Sequence, residues 1–454
     1  MMLVYVFFLL SALTVLLSLI LRVAGGRRIQ FAVNATMLAL LAASAVLLVI
    51  YGYSGTFAGV FSINPFASFF ALVFTIGLLL VNFIAFNYSG NYQNFAVIGN
   101  FALMGMYVVA SSTSLVTIFL GLELASIPMV FAVLMSKGSV EAAVKLFIMA
   151  SLSVAVLSLA IVLLYGATGS LALSSYPKTA LLAFCAILFI ASLGIEASIF
   201  PFNVLVPDIY TGSPAYMTGL LGGVSKKVGL AALMQVLILI FVSNSGIFLV
   251  VAVLSVLTMT YGNIAALMQR NLKRMLAYSS ISQAGYILIG IAVQNATGAT
   301  ASLFQILSHM FIFIGMMAIV AVLEERNRTE IDGLIGLNWE NRLAAFSMAV
   351  FMLSLIGLPL TTGFVGKFLL FLSAVNSGMA WLAIIGVINS VISIFYYARA
   401  IMAMYTERAG ARPIIIERSV VAVIILSLVA TILFGIYPTP IISMASGAAS
   451  FLYH

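Results

Sequence analysis

SLGIEASIFPFNVLVPD, residues 192–208, is the stretch on which the fold turns. It lies in an apolar run covering 180–211, longer than the roughly 20 residues a helix needs to cross a bilayer. Yet it holds a carboxylate, Glu196, and two prolines, Pro201 and Pro207. A charge at the bilayer centre costs roughly 2.5–3.5 kcal/mol even on insertion scales, so Glu196 needs a partner, water or a task. Proline deletes a helical hydrogen bond and clashes with the preceding turn, which predicts a helix interrupted near mid-membrane. A second run, SLIGLPLTTGFVGKF (354–368), carries Gly357, Pro359, Gly363 and the buried cation Lys367. Backbone groups freed at such breaks bind water or ions in transporters built from inverted repeats with discontinuous helices. The alternative is a pair of ordinary proline kinks.

The rest of the chain has the same solvent. Of its residues, 64% are hydrophobic and 7% charged, and mean hydropathy is +1.26, values that exclude a soluble domain of this length. Segments long enough to span lie near 2–21, 30–51, 65–87, 93–113, 114–136, 141–165, 180–211, 214–241, 245–268, 272–293, 298–323, 343–373, 379–406 and 417–437, about fourteen in all. The expected fold is therefore an all-α polytopic membrane protein whose seventh and twelfth helices are discontinuous. The spacing of the two breaks suggests two inverted five-helix repeats. The expected division is 1–92 for helices one to three, 93–243 and 244–408 for the repeats, and 409–454 for helix fourteen and a tail.

Basic residues check the count. Arg22, Arg27, Arg28, Lys137, Arg270, Lys273, Arg274, Arg326, Arg328, Arg342, Arg408, Arg412 and Arg418 fall in or beside odd-numbered connections, and Lys178 stands in an even one. By the positive-inside rule the odd connections are cytoplasmic and both termini are outside. Met1–Leu21 has no basic leader before it and reads as a retained first helix. The net charge of +8 is scattered over short loops, which argues against nucleic acid as a partner. One cysteine, Cys185, and two histidines, His309 and His454, leave little with which to build a metal, haem or iron–sulfur site. No glycine loop that would cradle a nucleotide is present. No cofactor is expected in this chain.

Beyond Glu196 and Lys367, the apolar segments contain Glu123, Lys145, Lys226 and Lys227. Carboxylates and amines recurring along one polytopic chain are the material of a proton or ion path. Lys226 and Lys227 project about 100° apart on a helix, so at most one faces a given path. Glu141 stands one turn before Lys145, where it can neutralise the amine or form a simple interfacial ion pair. His309 is placed to relay protons near neutral pH or to serve as hydrogen-bonded structure. Ser279, Ser280 and Gln283 suit water binding or polar helix contacts equally. Lys273 and Arg274, at a helix start, suit an interfacial role, and Asp208 can hold the bend of the seventh helix.

The segments FLGLELASIP (119–128), EAAVKLFIMASLSVAVLSLAIVLLYGATGS (141–170), PFNVLVPDIYTGSP (201–214), SKKVGLAALM (225–234), NLKRMLAYSSISQAGYILIG (271–290) and LSLIGLPLTTGFVGKF (353–368) together resemble the antiporter-like membrane subunits of respiratory complex I. The resemblance is to the N-type subunit, called subunit 2 in mitochondria, and runs from helix four to helix thirteen. It implies a proton-translocating subunit of an NADH-quinone oxidoreductase-type complex in an energy-transducing membrane. Its partners would be other membrane subunits, with iron–sulfur clusters and the quinone site in other chains. It implies that Glu123 is the helix-five glutamate that modulates a neighbouring lysine. Lys226 takes the place of the helix-eight lysine of the central axis, Lys367 that of the helix-twelve lysine of N-type members, and Lys145 that of a helix-six lysine of the same branch. His309 is similar to a histidine of the M- and L-type relatives.

Glu196 departs from that pattern. The family normally has lysine here and histidine seven residues later, where this chain has Asn203. The Glu–Lys pair of helices five and seven becomes two carboxylates, which do not both ionise cheaply in low dielectric and are expected to share a proton. Lys145 or Lys227 is available as the missing cation; otherwise this half-channel is degraded. A subunit of an Mrp-type cation/proton antiporter and a structural membrane subunit without pumping stay open as alternatives. So does the choice between H⁺ and Na⁺.

Overall fold

The computed structural model describes residues 2–52, 54–57, 60–136, 140–176, 179–407 and 412–453, with side chains from residue 6 onward. Lys137, Lys178, Arg408 and His454 lie outside the described residues. The chain is helical nearly throughout. It begins with α1 (Met2–Ala24) and α2 (Arg27–Tyr51), followed by a short antiparallel hairpin of β1 (Gly55–Phe57) and β2 (Phe61–Ile63). Next come α3 (Pro65–Tyr88), α4 (Tyr92–Ala110), α5 (Leu115–Leu134), α6 (Val140–Thr168), α7 (Ala180–Ala197) and α8 (Val206–Gly212). The long α9 (Ala215–Ile240) contains two π-turns, Leu221–Ser225 and Val236–Ile240. Then follow α10 (Ser245–Leu267), α11 (Leu272–Ala292), α12 (Ala296–Glu324), α13 (Arg342–Ile356), α14 (Thr362–Asn376), α15 (Ala380–Tyr405), α16 (Arg418–Ile436) and α17 (Thr439–Tyr453).

Thirteen helices among the described residues are long and apolar enough to cross a membrane. The shorter apolar pair α13 and α14 makes one further crossing in two pieces, which brings the total to the fourteen read from the sequence. The connections test this count independently. Arg27 Nη2 donates to Ser89 O at 3.2 Å, Leu272 N to Thr329 O at 2.8 Å and Ile414 N to Glu340 O at 2.9 Å, so odd connections meet one another. Ser62 N donates to Ser111 O at 2.7 Å, Leu115 N to Leu171 O at 2.9 Å and Asn295 Nδ2 to Ser377 Oγ at 2.8 Å, so even connections also meet. A helix added or lost would have mixed the two ends. The odd end is called the basic face below.

Both expected breaks are present and close in the same way. At the end of α7, Ser198 is left-handed with φ 62°, and Ile199 N donates back to Gly194 O at 2.8 Å. At the end of α13, Gly357 has φ 99°, and Leu358 N donates to Leu353 O at 3.0 Å. These are Schellman closures, which satisfy some terminal carbonyls and leave others free. Chain direction resumes in α8 and α14 after the prolines have prevented continuous helix.

The tail reads differently in the structure. Residues expected as a tail form α17, which packs on α12 and α3. Its run of small residues, SMASGAAS (443–450), is too weakly hydrophobic and too short to register as a span. Buried Ala445, Ala448 and Ala449 allow the close approach.

The centre of the molecule is α11 and α12, buried along almost their whole lengths. At the periphery, α6 leaves Phe147, Leu152, Leu159 and Val162 exposed, as a lipid-facing helix does. Between them stands α9, and one glycine sets its distance from the α7 break. A Cβ on Gly229 would lie 2.6 Å from Ala197 N and 2.7 Å from Glu196 Cβ. Gly229→Ala is therefore expected to push α9 off α7 at a cost of about 1–3 kcal/mol, read as a lower unfolding midpoint of the detergent-purified protein.

Candidate functional site

The first group of side chains surrounds the α7 break. Glu196 occupies the last turn of α7, and Lys226 follows the first π-turn of α9. Both line one cavity with Ser126, Met129, Leu146, Met149 and Ser225. It offers about 20 Å³ to water centres, room for roughly one water molecule. Glu123 stands one turn before Ser126 on α5, on the same side of that helix, and is half-buried. It lies within electrostatic reach of Glu196, as does Lys226, and the Ser153 hydroxyl sits beside the Glu196 carboxylate. Glu196 and Lys226 thus share a low-dielectric cavity, with the half-buried Glu123 within electrostatic reach of it. π-Turns recur at functional sites because the extra residue re-aims the side chains that follow; here it precedes both lysines.

Lys145 takes no part in that cavity. Its amine is held by Glu141 at 2.6 Å and by Asp208 at 2.8 Å, and Asp208 is bound in turn by Arg274 at 2.7 Å. The chain Glu141–Lys145–Asp208–Arg274 lies on the basic face and ties α6, α8 and α11 together. Asp208, in α8 beyond the break, is anchored there to α6 and α11. Because Lys145 is partly exposed, Lys145→Ala is expected to leave the unfolding midpoint of the detergent-purified protein nearly unchanged. Asn203, in the irregular turn between α7 and α8, is buried, and neither side-chain atom has a hydrogen-bond partner among the described residues.

The second group starts on the other side of α9. Lys227 is buried, and its Nζ lies 3.0 Å from His309 Nδ1 on α12. The imidazole stacks on Phe313, with ring centroids 5.3 Å apart. Its Nε2 has no partner among the described residues. One turn earlier, on the same face of α12, Gln305 Nε2 donates to Gln283 Oε1 at 3.0 Å, and Gln283 Nε2 reaches Leu355 O at 3.4 Å. That carbonyl lies in the last turn of α13, beside the anchor of the final lysine. Lys367 Nζ donates to Ile356 O at 3.1 Å and to Ser390 Oγ at 3.0 Å, and lies 4.2 Å from the centre of the Tyr286 ring. The break in the helix supplies the carbonyl that solvates this cation. Ser390 Oγ in turn donates to Tyr286 OH at 3.2 Å. Ser279 is hydrogen-bonded to Tyr397, and the Ser280 hydroxyl lies beside Tyr210.

The structure thus gathers Glu123, Glu196 and Lys226 at one break and Gln283, Ser279 and Lys367 near the other, with His309 between. It also revises the reading of particular residues. Lys227, which the sequence offers as a cation for Glu196, is aimed by its 100° offset at α12 and the opposite half. Gln305 was overlooked, and its signal was the four-residue spacing to His309 in FQILSH (304–309). Lys273, in the first turn of α11 at the basic face, is buried there against protein, bonded to Ser213 O at 2.8 Å and paired with Glu324. No cluster of three or more His, Cys, Asp or Glu able to hold a metal occurs among the described residues.

Comparison with other proteins gives a consistent result. Residues 112–393 match the family described as NADH:quinone oxidoreductase/Mrp antiporter, transmembrane. The NADH-quinone oxidoreductase subunit N of Desulforamulus reducens is 36% identical over 416 residues, covering 87% of this chain and 86% of that protein. A chain of respiratory complex I from Thermus thermophilus superposes with a TM-score of 0.85 at 27% identity, covering 96% of this chain and 98% of its own. A chain of the Mrp complex from Dietzia sp. gives a TM-score of 0.91 at 20% identity, covering 98% and 97%, a likeness of fold. With the thirteen apolar helices, these likenesses make the chain a multi-pass integral membrane protein.

Proposed function

Because the chain belongs to the NADH:quinone oxidoreductase/Mrp antiporter family, among its subunit N members, we propose that it is the proton-translocating, antiporter-like subunit of a complex I-type oxidoreductase. Electrons pass to quinone in other subunits. This chain turns that remote free energy into proton movement through buried glutamates and lysines.

The observation that supports this reading is the file of titratable and polar side chains running from α5 to α14 past both helix breaks. Glu196, with Glu123 beside it, takes a proton from water in the first cavity and exchanges it with Lys226. Lys367 holds and releases a proton at the second break, where a carbonyl and a serine hydroxyl solvate its charged form. Moving one charge against 100 mV costs about 2.3 kcal/mol, so the redox subunits must bias this file by at least that order. The basic face is cytoplasmic and both termini lie on the other side, as the distribution of arginine and lysine implies.

The test uses the complex purified through a tag on this chain, which is expected to carry iron–sulfur subunits with it. Reconstituted in proteoliposomes, Glu196→Gln and Glu123→Gln should each lower the number of protons moved per electron. Wild-type ratios and turnover in both variants would sink the proposal.

A further inference from the structure

Helix α15 carries a cation inside its span for which the chain supplies no counter-charge. Arg399 stands about 9 Å short of Tyr405, the last residue of α15 at the basic face. Its Nη2 donates to Gln269 O, in the turn after α10. Among the described residues the guanidinium makes no other hydrogen bond; Nε is enclosed without a partner, and Nη1 stays open. The side chain thus extends toward the basic face, as an arginine does when its charge must leave the apolar zone. Polar groups of the turn below are spent on one another. Tyr396 OH donates to Asn263 Oδ1 at 3.0 Å, and Asn263 Nδ2 to Asn389 Oδ1 at 3.2 Å. Among the described residues no aspartate or glutamate pairs with Arg399. Arg270, next in the chain after Gln269, is exposed and likewise has no carboxylate among them. A charge left alone within a span is costly, so its partner must come from outside the chain.

The surface around this cation is apolar. Helices α10 and α15 run side by side, and there they expose Ile264 and Met268 from the first and Phe395 and Met402 from the second. Phe395 and Met402 stand one turn before and one turn after Arg399, on its own face of α15. Toward the bilayer centre the exposed stripe continues through Val391 and Ile388. We propose that this groove binds an anionic phospholipid at the basic face, with its phosphate on Arg399 and Arg270 and its chains along Phe395, Val391 and Ile388. The guanidinium lies level with the α10–α11 turn, the height of lipid headgroups, where a phosphate oxygen accepts from the open Nη1. Two arginines with no acid beside them favour an anionic headgroup over a zwitterionic one, whose own ammonium they repel. A lipid matches both the charge and the apolar stripe that runs inward from it.

The test equilibrates the tagged complex with mixed micelles holding equal amounts of phosphatidylglycerol and phosphatidylcholine. Native mass spectrometry then counts the lipids that each complex retains. Arg399→Gln is expected to retain one phosphatidylglycerol fewer than wild type and to keep its phosphatidylcholine. An unchanged phosphatidylglycerol count would overturn the site, and equal loss of both lipids would overturn its choice of an anionic headgroup. Loss of a neighbouring subunit with the lipid count unchanged would mean that a carboxylate of that subunit meets Arg399, which also overturns the proposal. Should Arg399→Gln not assemble, Arg270→Glu sets a negative charge at the same exposed mouth and should shed the same lipid. Wild-type retention in that variant would count against the site equally. Because the readout is lipid rather than protons, neither result bears on the relay reading.

Discussion

Lys367→Leu is expected to slow proton transfer through the second half of the protein by about 100-fold or more while leaving the protein assembled. In the proposed relay Lys367 both binds and releases the proton, and removing such a group is typically worth two to four powers of ten. The Lys367 amine is buried and bonded to Ile356 O and Ser390 Oγ, over the face of Tyr286. Leucine leaves Ile356 O without its donor, a loss of about 1–3 kcal/mol. It also removes a cation whose burial was itself costly, which offsets part of that loss. Activity and stability should therefore separate, with protons per electron falling and the unfolding midpoint staying close to wild type. Lys367→Arg sharpens the test, because guanidinium keeps the charge and the hydrogen bonds but does not deprotonate. It should block the relay as leucine does. A wild-type proton ratio in the arginine variant would mean that Lys367 supplies a fixed charge and carries no proton.

The second large effect is on stability. Glu324→Ala is expected to destabilise the protein by about 3 kcal/mol, the low end for removing one partner of a buried ion pair, because Glu324 opens onto a surface crevice. The carboxylate holds Lys273, which is only 3% exposed, and its second oxygen accepts Ala215 N at 2.7 Å, at the start of α9. Alanine leaves the ammonium with Ser213 O but no counter-charge, and that amide without a partner. Glu324→Gln retains an acceptor for the amide and should fall between alanine and wild type. The measurement is the thermal unfolding midpoint of the solubilised complex. An unchanged midpoint in the alanine variant would show that water in the crevice, rather than Glu324, satisfies Lys273. Together with the Asp208–Arg274 pair, this contact ties α8 and α9 to α11 and α12 on the basic face.

Much of the architecture was legible before any coordinate. Apolar runs of span length set the helices, and the side on which arginines gather confirmed their number. The prolines at 201, 207 and 359 and the glycines at 357 and 363 announced both interruptions. These are local properties, dictated by backbone hydrogen bonding in a solvent that offers no substitute. Helix α17 escaped because alanine, serine and glycine carry little hydropathy, and its helix depends on packing against α3 and α12.

The candidate site divided along the same line. Glu123, Glu196, Lys226, His309 and Lys367 stood out because an ionisable group inside an apolar span is costly wherever it sits, and that cost can be read from the chain. Their partners could not be read in this way. Lys145 looked available to Glu196 and is held by Asp208 and Glu141. Lys227 looked equally available and faces His309 instead. Each assignment depends on which helix lies across the gap, and an offset of 100° on α9 is meaningless until its neighbours on both sides are in place. The sequence alone determined that this is a membrane protein of about fourteen crossings with charges buried at two broken helices. Only the tertiary structure decided which charge meets which, because pairing in a low-dielectric interior is set by distances of a few ångströms between segments remote in the chain.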